Sequence, residues 1–328
     1  MDISNELAIG IDIGGTNTKY GIVNHRGEIL QQGDIRTDQY PTIELFIEAL
    51  YKTLQPVIKS VKKRNIQGIG IGAPNGNYYS GTIEYAPNLK WGGIIPLAKM
   101  ISDKFGLPAA LTNDANAAAV GEMTYGAARG MKDFIMITLG TGVGSGIVAN
   151  GQLILGHDGF AGELGHTIIV PGGRLHEGTG MYGSLEVYAS ATGVAKTAVE
   201  MLEGNKKEKS LLRNTTAKIT SKTIYECAMK GDAIAKKVYD FTGKILGEAL
   251  ANFVMFSSPE AIILFGGLTK AGDMIINPTQ EHMEKNLLPI FQNKVKLIFS
   301  ELKESDAAIL GASALVWDIK SEPQGHAL

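Results

Sequence analysis

Two carboxylates stand where the chain can do chemistry. Asp12 opens the stretch DIGGTNTKYG, directly after the apolar run Leu7-Ala8-Ile9-Gly10-Ile11, which reads as a buried strand. Asp12, Gly14, Gly15 and Thr16 form a tight turn, and Thr18 to Val23 reads as the returning strand. Glycines in succession let a ligand approach the backbone, and successive N–H groups in such a turn can face an anion with no lysine required. Thr16 adds a hydroxyl, and the Asp12 carboxylate suits Mg²⁺ held through water. Gly-Gly is also an ordinary hairpin signal, so this turn alone does not decide between ligand and hairpin. Asp114 sits where the strand 108–112 hands over to an Ala-rich helix, beside Asn113. A positioned carboxylate there can take the proton of a hydroxyl that attacks a phosphate. The competing reading is a helix cap, which Asn and Asp both favour.

A second copy of the turn shifts the balance. Phe134 to Leu139 is again apolar and β-rich, Gly140-Thr141-Gly142-Val143-Gly144 follows, and Ser145 to Ala149 returns. A third turn, Gly266-Gly267, closes the strand Ala261 to Phe265. Glycine turns after three buried strands suggest one ligand gripped from several sides, and a polyphosphate is the natural candidate. No turn is followed by Lys-Ser or Lys-Thr, so none is a P-loop. Each turn is expected to lead into another strand rather than a helix, unlike a dinucleotide fingerprint. The stretch GHDGFAGELGH, Gly156 to His166, gathers His157, Asp158, Glu163 and His166 among glycines, and Glu and His can hydrogen-bond several sugar hydroxyls. A zinc site there would need further ligands that cysteine cannot supply. Glu186 is a further hydroxyl acceptor or a plain helix N-terminal Glu.

The elements that must position these groups form two similar halves. Strands at 7–13, 18–23 and about 28–33 make a meander. A helical pattern of Ile43, Phe46, Ile47, Leu50, Leu54, Val57, Ile58 and Val61 follows, with a kink or break expected at Pro56. Lys59, Lys62, Lys63 and Arg64 read as its solvated end. Strand 66–72, helix 96–104, strand 108–112 and helix 115–127 complete the first half. Strands at 134–139, 145–149 and 152–155, helices at about 185–203, 221–229, 232–256 and 270–290, strands 261–265 and 295–299, and a last helix 306–319 make the second. The closing SEPQGHAL reads as a frayed tail. The repeat predicts two similar α/β domains around a cleft, a preferred ligand position. The expected division is 1–118 plus about 303–328 against 119–302.

Composition narrows the class. At 328 residues, 44% hydrophobic and 20% charged, the chain is an ordinary globular protein long enough for two domains. A net charge of -2 argues against sequence-independent nucleic-acid binding. The single cysteine, Cys227, excludes an internal disulfide and a cysteine-rich zinc site, which fits the cytoplasm; it reads as a small core residue. No run is long and apolar enough for a membrane helix, and the N-terminus has no signal-peptide pattern.

DIGGTNTKYG, GIGAPNG, APNL, NDANAAAVGE, LGTGVGSGI, GHDGFAGELGH, LEVYAS, the late Gly-Gly turn and a terminal GAS helix occur in one order. In that combination the chain resembles the ROK family (repressors, open reading frames and sugar kinases), and within it the glucokinases. The resemblance covers nearly the whole chain. It implies the actin/hexokinase-like, ribonuclease H-like fold and transfer of the ATP γ-phosphate to a sugar hydroxyl, the 6-hydroxyl of glucose above other hexoses. It implies Asp114 as general base, and Asn88, Asn113, Asp114, Glu163, His166 and Glu186 as sugar contacts. Gly14, Gly15, Thr16, Lys19, Gly140, Thr141, Gly142, Gly266 and Gly267 become nucleotide contacts, with Asp12 near Mg²⁺. A homodimer is implied too. One departure stands out: where many members carry zinc-binding cysteines, this chain has Glu177, Thr179 and Ser184. No structural zinc is expected, leaving His166 to the sugar. The family also contains sugar-responsive repressors with an N-terminal DNA-binding domain. Only eleven residues precede Asp12 here, so an enzyme is expected.

Overall fold

The computed structural model describes residues 6–214 and 218–319, so the reading of the SEPQGHAL tail falls outside it. The chain divides into two compact units. One holds the residues up to Gly130, Leu153–Ala161 and the residues from Glu301; the other holds Met131–Gln152 and Gly162–Ser300.

The first unit is built on a five-stranded sheet. Strands β1 (Leu7–Ile13), β2 (Asn17–Asn24) and β3 (Ile29–Arg36) form the antiparallel meander, and α1 (Ile43–Val61) follows. Pro56 lies inside α1, which continues unbroken through it. Its ring points to solvent, where water can satisfy the carbonyl that loses its partner. The basic cluster at 59–64 is exposed, as its position at the helix end requires. β4 (Ile66–Gly72) pairs parallel with β1. A small three-stranded sheet of β5 (Gly76–Asn77), β6 (Thr82–Glu84) and β7 (Ile94–Ile95) comes next, then α2 (Leu97–Phe105). β8 (Ala109–Thr112) pairs parallel with β4, and α3 (Asp114–Tyr125) starts two residues after β8 ends. The strand order is β3-β2-β1-β4-β8.

The second unit repeats that order. β9 (Phe134–Leu139), β10 (Val143–Ala149) and β11 (Gln152–Leu153) form the meander; β12 (Ala261–Phe265) and β13 (Lys296–Phe299) add in parallel, giving β11-β10-β9-β12-β13. The single helix expected over 185–203 is two, α4 (Glu186–Ala189) and α5 (Ala191–Gly204). Ser190 divides them: it is extended, at φ -81° and ψ 166°, and its side chain caps α5 by accepting from the Gly193 N–H. Then come α6 (Ser221–Met229), α7 (Ala233–Ser257) and α8 (Asp273–Lys285). Cys227 is buried on α6. The final helix, α9 (Ala307–Ile319), belongs to the first unit, against β1, β4 and α3.

The packing of α9 explains the odd composition of two strands. β1 reads LAIGIDI and β4 reads IQGIGIG. Side chains alternate across a strand, so Ile9, Ile11, Ile13, Ile69 and Ile71 share one face and join Phe46, Leu50 and Leu54 of α1 in a continuous core. The opposite face carries Gly10, Gly68 and Gly70. A Cβ at Gly70 would overlap the Ala312 carbonyl, and one at Gly10 the Ile309 carbonyl. The helix backbone rests directly on the strands because no side chains stand between. Replacing Gly70 by Ala should therefore cost about 1–3 kcal/mol through overpacking, read as a lower urea midpoint at unchanged slope.

Candidate active site

In the first unit, Asp12, Gly72 and Thr112 lie at the carboxyl ends of three adjacent parallel strands, paired Asp12↔Gly72 and Gly72↔Thr112. Such strand ends are where open α/β sheets place ligands. Alternation puts Asp12 on the glycine face, with Gly72 beside it. A Cβ built on Gly72 would lie 3.8 Å from Asp12 Oδ1 and 3.9 Å from the Asp114 Cα, so the missing side chain leaves room between the two acids.

The competing capping reading resolves residue by residue. Asn113 is the N-cap of α3: its Oδ1 accepts from the Asn116 N–H at 2.7 Å. Asp114 is the first helical residue, with Oδ1 accepting from the Ala115 N–H at 2.9 Å. Asp114 is exposed to water at its surface, yet protein atoms surround its carboxylate on most sides. That desolvation raises its pKa, against the opposing pull of the Ala115 and Asp114 N–H groups. Asp12 is pushed up from 3.8 to about 6, first by burial and then by the charge of Asp114; Lys19, its partner across β1 and β2, pulls the other way.

The first glycine turn works by close approach. Neither Gly14 nor Gly15 has a positive φ, so the need for glycine here is spatial. A Cβ on Gly14 would come within 2.9 Å of the Asn17 carbonyl oxygen, and one on Gly15 would run into the backbone of Asn88. Thereby the turn and exposed Asn88 lie together in the first unit. Gly14 N–H donates to Asn17 at 3.0 Å, while Thr16 is exposed.

In the second unit the turn Gly140-Thr141-Gly142 follows β9, and Gly266 follows β12 at the neighbouring strand end, where the chain enters a 3₁₀ turn, Gly267–Ala271, and then α8 rather than the expected strand. Gly266 has φ +107°, and a Cβ there would sit 2.6 Å from the Leu139 carbonyl oxygen, so no other residue suits it. Gly267 and Gly140 are open to their surroundings. The start of α5 braces the turn: Ala191 N–H donates to Gly140 at 2.9 Å. Gly142 faces Glu186, whose Oε2 accepts from the Val143 N–H at 2.7 Å.

The stretch GHDGFAGELGH is shared out. Gly156–Ala161 goes with the first unit, where Asn77 Nδ2 donates to the Asp158 carbonyl at 2.7 Å; His157 is exposed. Glu163 and His166 belong to the second unit, at the ends of a short 3₁₀ turn, 3.9 Å apart between Oε2 and Nε2. Ser145 clasps this loop: its hydroxyl donates to the Gly162 carbonyl and accepts from the Leu164 N–H at 3.1 Å. Sequence reading missed Ser145 and also His176, whose Nε2 lies 2.7 Å from Glu186 Oε1. A hydroxyl on a strand and a histidine in a glycine-rich loop carry no spacing signal that would single them out.

At the three cysteine-equivalent positions the donor chemistry does not fit a tetrahedral thiolate site. Thr179 bonds to the His176 ring, Ser184 Oγ is buried without a partner, and Glu177 is a carboxylate. Among the described residues no group of three or more His, Cys, Asp and Glu is gathered for a metal ion.

Comparison with known proteins places these features in context. The model of the ROK family matches residues 8–319. A glucokinase of Halalkalibacterium halodurans is 37% identical over 320 residues, 96% of each chain. A putative xylose repressor of a Caldicellulosiruptor species is 29% identical, over 94% of this chain and 78% of its own. The structure of a ROK family glucokinase from Streptomyces griseus, in complex with glucose and AMPPNP, superposes with a TM-score of 0.78 at 31% identity, covering 95% of this chain and 99% of that one. The fold is accordingly the actin/hexokinase-like one that the motifs implied.

Because folded Asp12 holds its proton more tightly than the unfolded chain does, its contribution favours the fold at acid pH and is lost as pH rises from about 4 through about 6. Asp12→Asn should match the parent near pH 4 and exceed it at pH 8, by about 1–2 kcal/mol once water's access to this half-buried group is allowed for. Urea unfolding at the two pH values measures this; equal stability at pH 8 would contradict the strained carboxylate.

Proposed function

The chain belongs to the ROK family, and from that premise we infer a sugar kinase and propose, more finely, an ATP-dependent glucokinase acting on the 6-hydroxyl of glucose. Glucose is favoured over fructose, mannose or an N-acetylated hexosamine because relatives at 32–37% identity carry the glucokinase name. The observation that carries the mechanism is the Asp12–Asp114 pair, one at the end of β1 and the other at the start of α3 after β8, facing each other past the bare Gly72 of β4, both with raised pKa values.

In this reading the glucose 6-oxygen attacks the γ-phosphorus, the new O–P bond forms as the bond to the β-phosphate oxygen breaks, and ADP leaves. Asp114 accepts the hydroxyl proton as the attack proceeds. A raised pKa makes it a better acceptor, provided it is ionised at working pH. Asn88, Asn113, Glu163, His166 and Glu186 hold the other hydroxyls. The turns at Gly14–Thr16, Gly140–Gly142 and Gly266–Gly267, with Lys19, take the phosphates. Mg²⁺ bound with ATP neutralises phosphate charge. Asp12 fits the ion: an oxygen ligand whose ionisation its acidic neighbour suppresses gains from a hard cation. The cysteine-equivalent residues supply no thiolate, so the proposal includes no structural zinc. It also includes a homodimer.

A hexose panel with Mg·ATP, read as ADP release, tests this. Glucose should turn over best, and Asp114→Asn should keep sugar binding while kcat falls by about 10² or more. Unchanged turnover would remove Asp114 as base. Sugar bound without turnover would favour the regulator reading that the xylose-repressor relative represents. Elemental analysis returning one zinc per chain would overturn the metal-free loop.

A further inference from the structure

The loop between His166 and Glu186 is held by its own side chains. Its two arms meet at the isolated bridges Ile168↔Ser184 and Leu175↔Tyr182. Arg174, with its side chain 9% exposed, ties one arm to the helices behind it. Its guanidinium donates to the Val187 carbonyl at 3.1 Å and to Glu200 Oε2 at 2.5 Å, and stacks 4.5 Å over the Tyr188 ring. Two residues on, the His176 main chain is fixed by its N–H to the Met181 carbonyl and by its own carbonyl, which accepts from Gly180 N–H, both at 2.8 Å.

The ring of His176 therefore has a set position, and its hydrogen bonds set its tautomer. Thr179 N–H lies 3.1 Å from Nδ1. A backbone N–H only donates, so Nδ1 accepts; in the neutral ring Nε2 then carries the proton and donates to Glu186 Oε1 at 2.7 Å. Glu186 Oε2 meanwhile accepts from Val143 N–H. Both oxygens are held from fixed donors, one on each side, and each keeps a lone pair for a further donor.

We propose that His176 is a positioning residue that sets the Glu186 carboxylate to receive a sugar hydroxyl, the bond from Val143 fixing the other oxygen. This rests on the sugar-kinase reading above. Without the histidine the carboxylate keeps one anchor and can swing about it, so a hydroxyl must order it on binding. The cost falls on sugar affinity and much less on ATP.

The test uses the full chain with His176→Leu, His176→Gln and Thr179→Val, each checked for an unchanged melting temperature. Glucose is titrated calorimetrically without nucleotide, and KM values for glucose and ATP are measured beside kcat. Leu should weaken glucose binding about tenfold or more, raise its KM in step and leave the ATP KM within about twofold. Gln, which keeps an N–H near the place of Nε2, should recover most of that loss. Parental glucose affinity in His176→Leu overturns the proposal, as does a loss that Gln fails to recover. Should Leu fail to fold, Thr179→Val frees the ring from one partner, and an unchanged glucose Kd there counts against the proposal. A parent that binds glucose without turning it over removes the kinase reading alone, since the His176 effect is read on Kd. A parent that binds no sugar removes both.

Discussion

The contact between the α9 backbone and the bare face of β1 and β4 is the constraint on which the first unit depends. Gly10 and Gly70 present no side chain, so the carbonyls of Ile309 and Ala312 reach the strands. α3 then packs on α9 at a second glycine crossing, where a Cβ on Gly121 would meet the Gly311 backbone and one on Gly311 the Ala117 carbonyl. Close packing of backbone on backbone gains dispersion contacts and leaves little freedom to shift. The strand ends and the start of α3 are brought together by that packing, and with them Asp12 and Asp114.

Two acids brought together in this way are not there for stability. Desolvation opposes both ionised forms, the charge of Asp114 further opposes that of Asp12, and the Ala115 N–H at the head of α3 only partly compensates for Asp114. A cost of that kind persists where function needs it and the surrounding structure over-determines the position. In the proposed kinase, Asp114 would be the proton acceptor and Asp12 the oxygen ligand for a hard cation, the two groups that hydroxyl-to-phosphate chemistry requires. With an ordinary pKa, Asp114 would be a weaker base in that role.

The second unit repeats the strand order and uses its ends differently. The first unit supplies carboxylates at its strand ends; the second supplies backbone, at Gly140–Gly142 and Gly266–Gly267. Its charged group, Glu186, comes from the start of α4 and is drawn back to the turn by Val143 N–H. Gly142 is what permits this, since a Cβ there would overlap the carboxylate. One glycine thus serves the turn and the position of the acid at once.

Much of this was legible in the order of residues. Alternating isoleucine and glycine marked β1 and β4, the doubled strand–turn–strand pattern announced the repeat, and the NDAN segment put an acid at a strand-to-helix junction. These are local periodicities and turn residues, and the chain writes them directly. Other features belong to tertiary structure because they depend on groups far apart in sequence. Whether Asn113 or Asp114 caps α3 turned on which side chain the backbone could reach. Why Gly14 and Gly15 are glycines turned on the approach of Asn17 and Asn88, and not on φ. The shift of Asp12 came first from its burial and then from Asp114, some hundred residues away, and the restraint on Glu186 required both Val143 and His176. Sequence determined the elements and the chemistry they carry; only packing decided which groups meet, because hydrogen bonds and charge interactions act over a few ångströms of space whatever the separation along the chain.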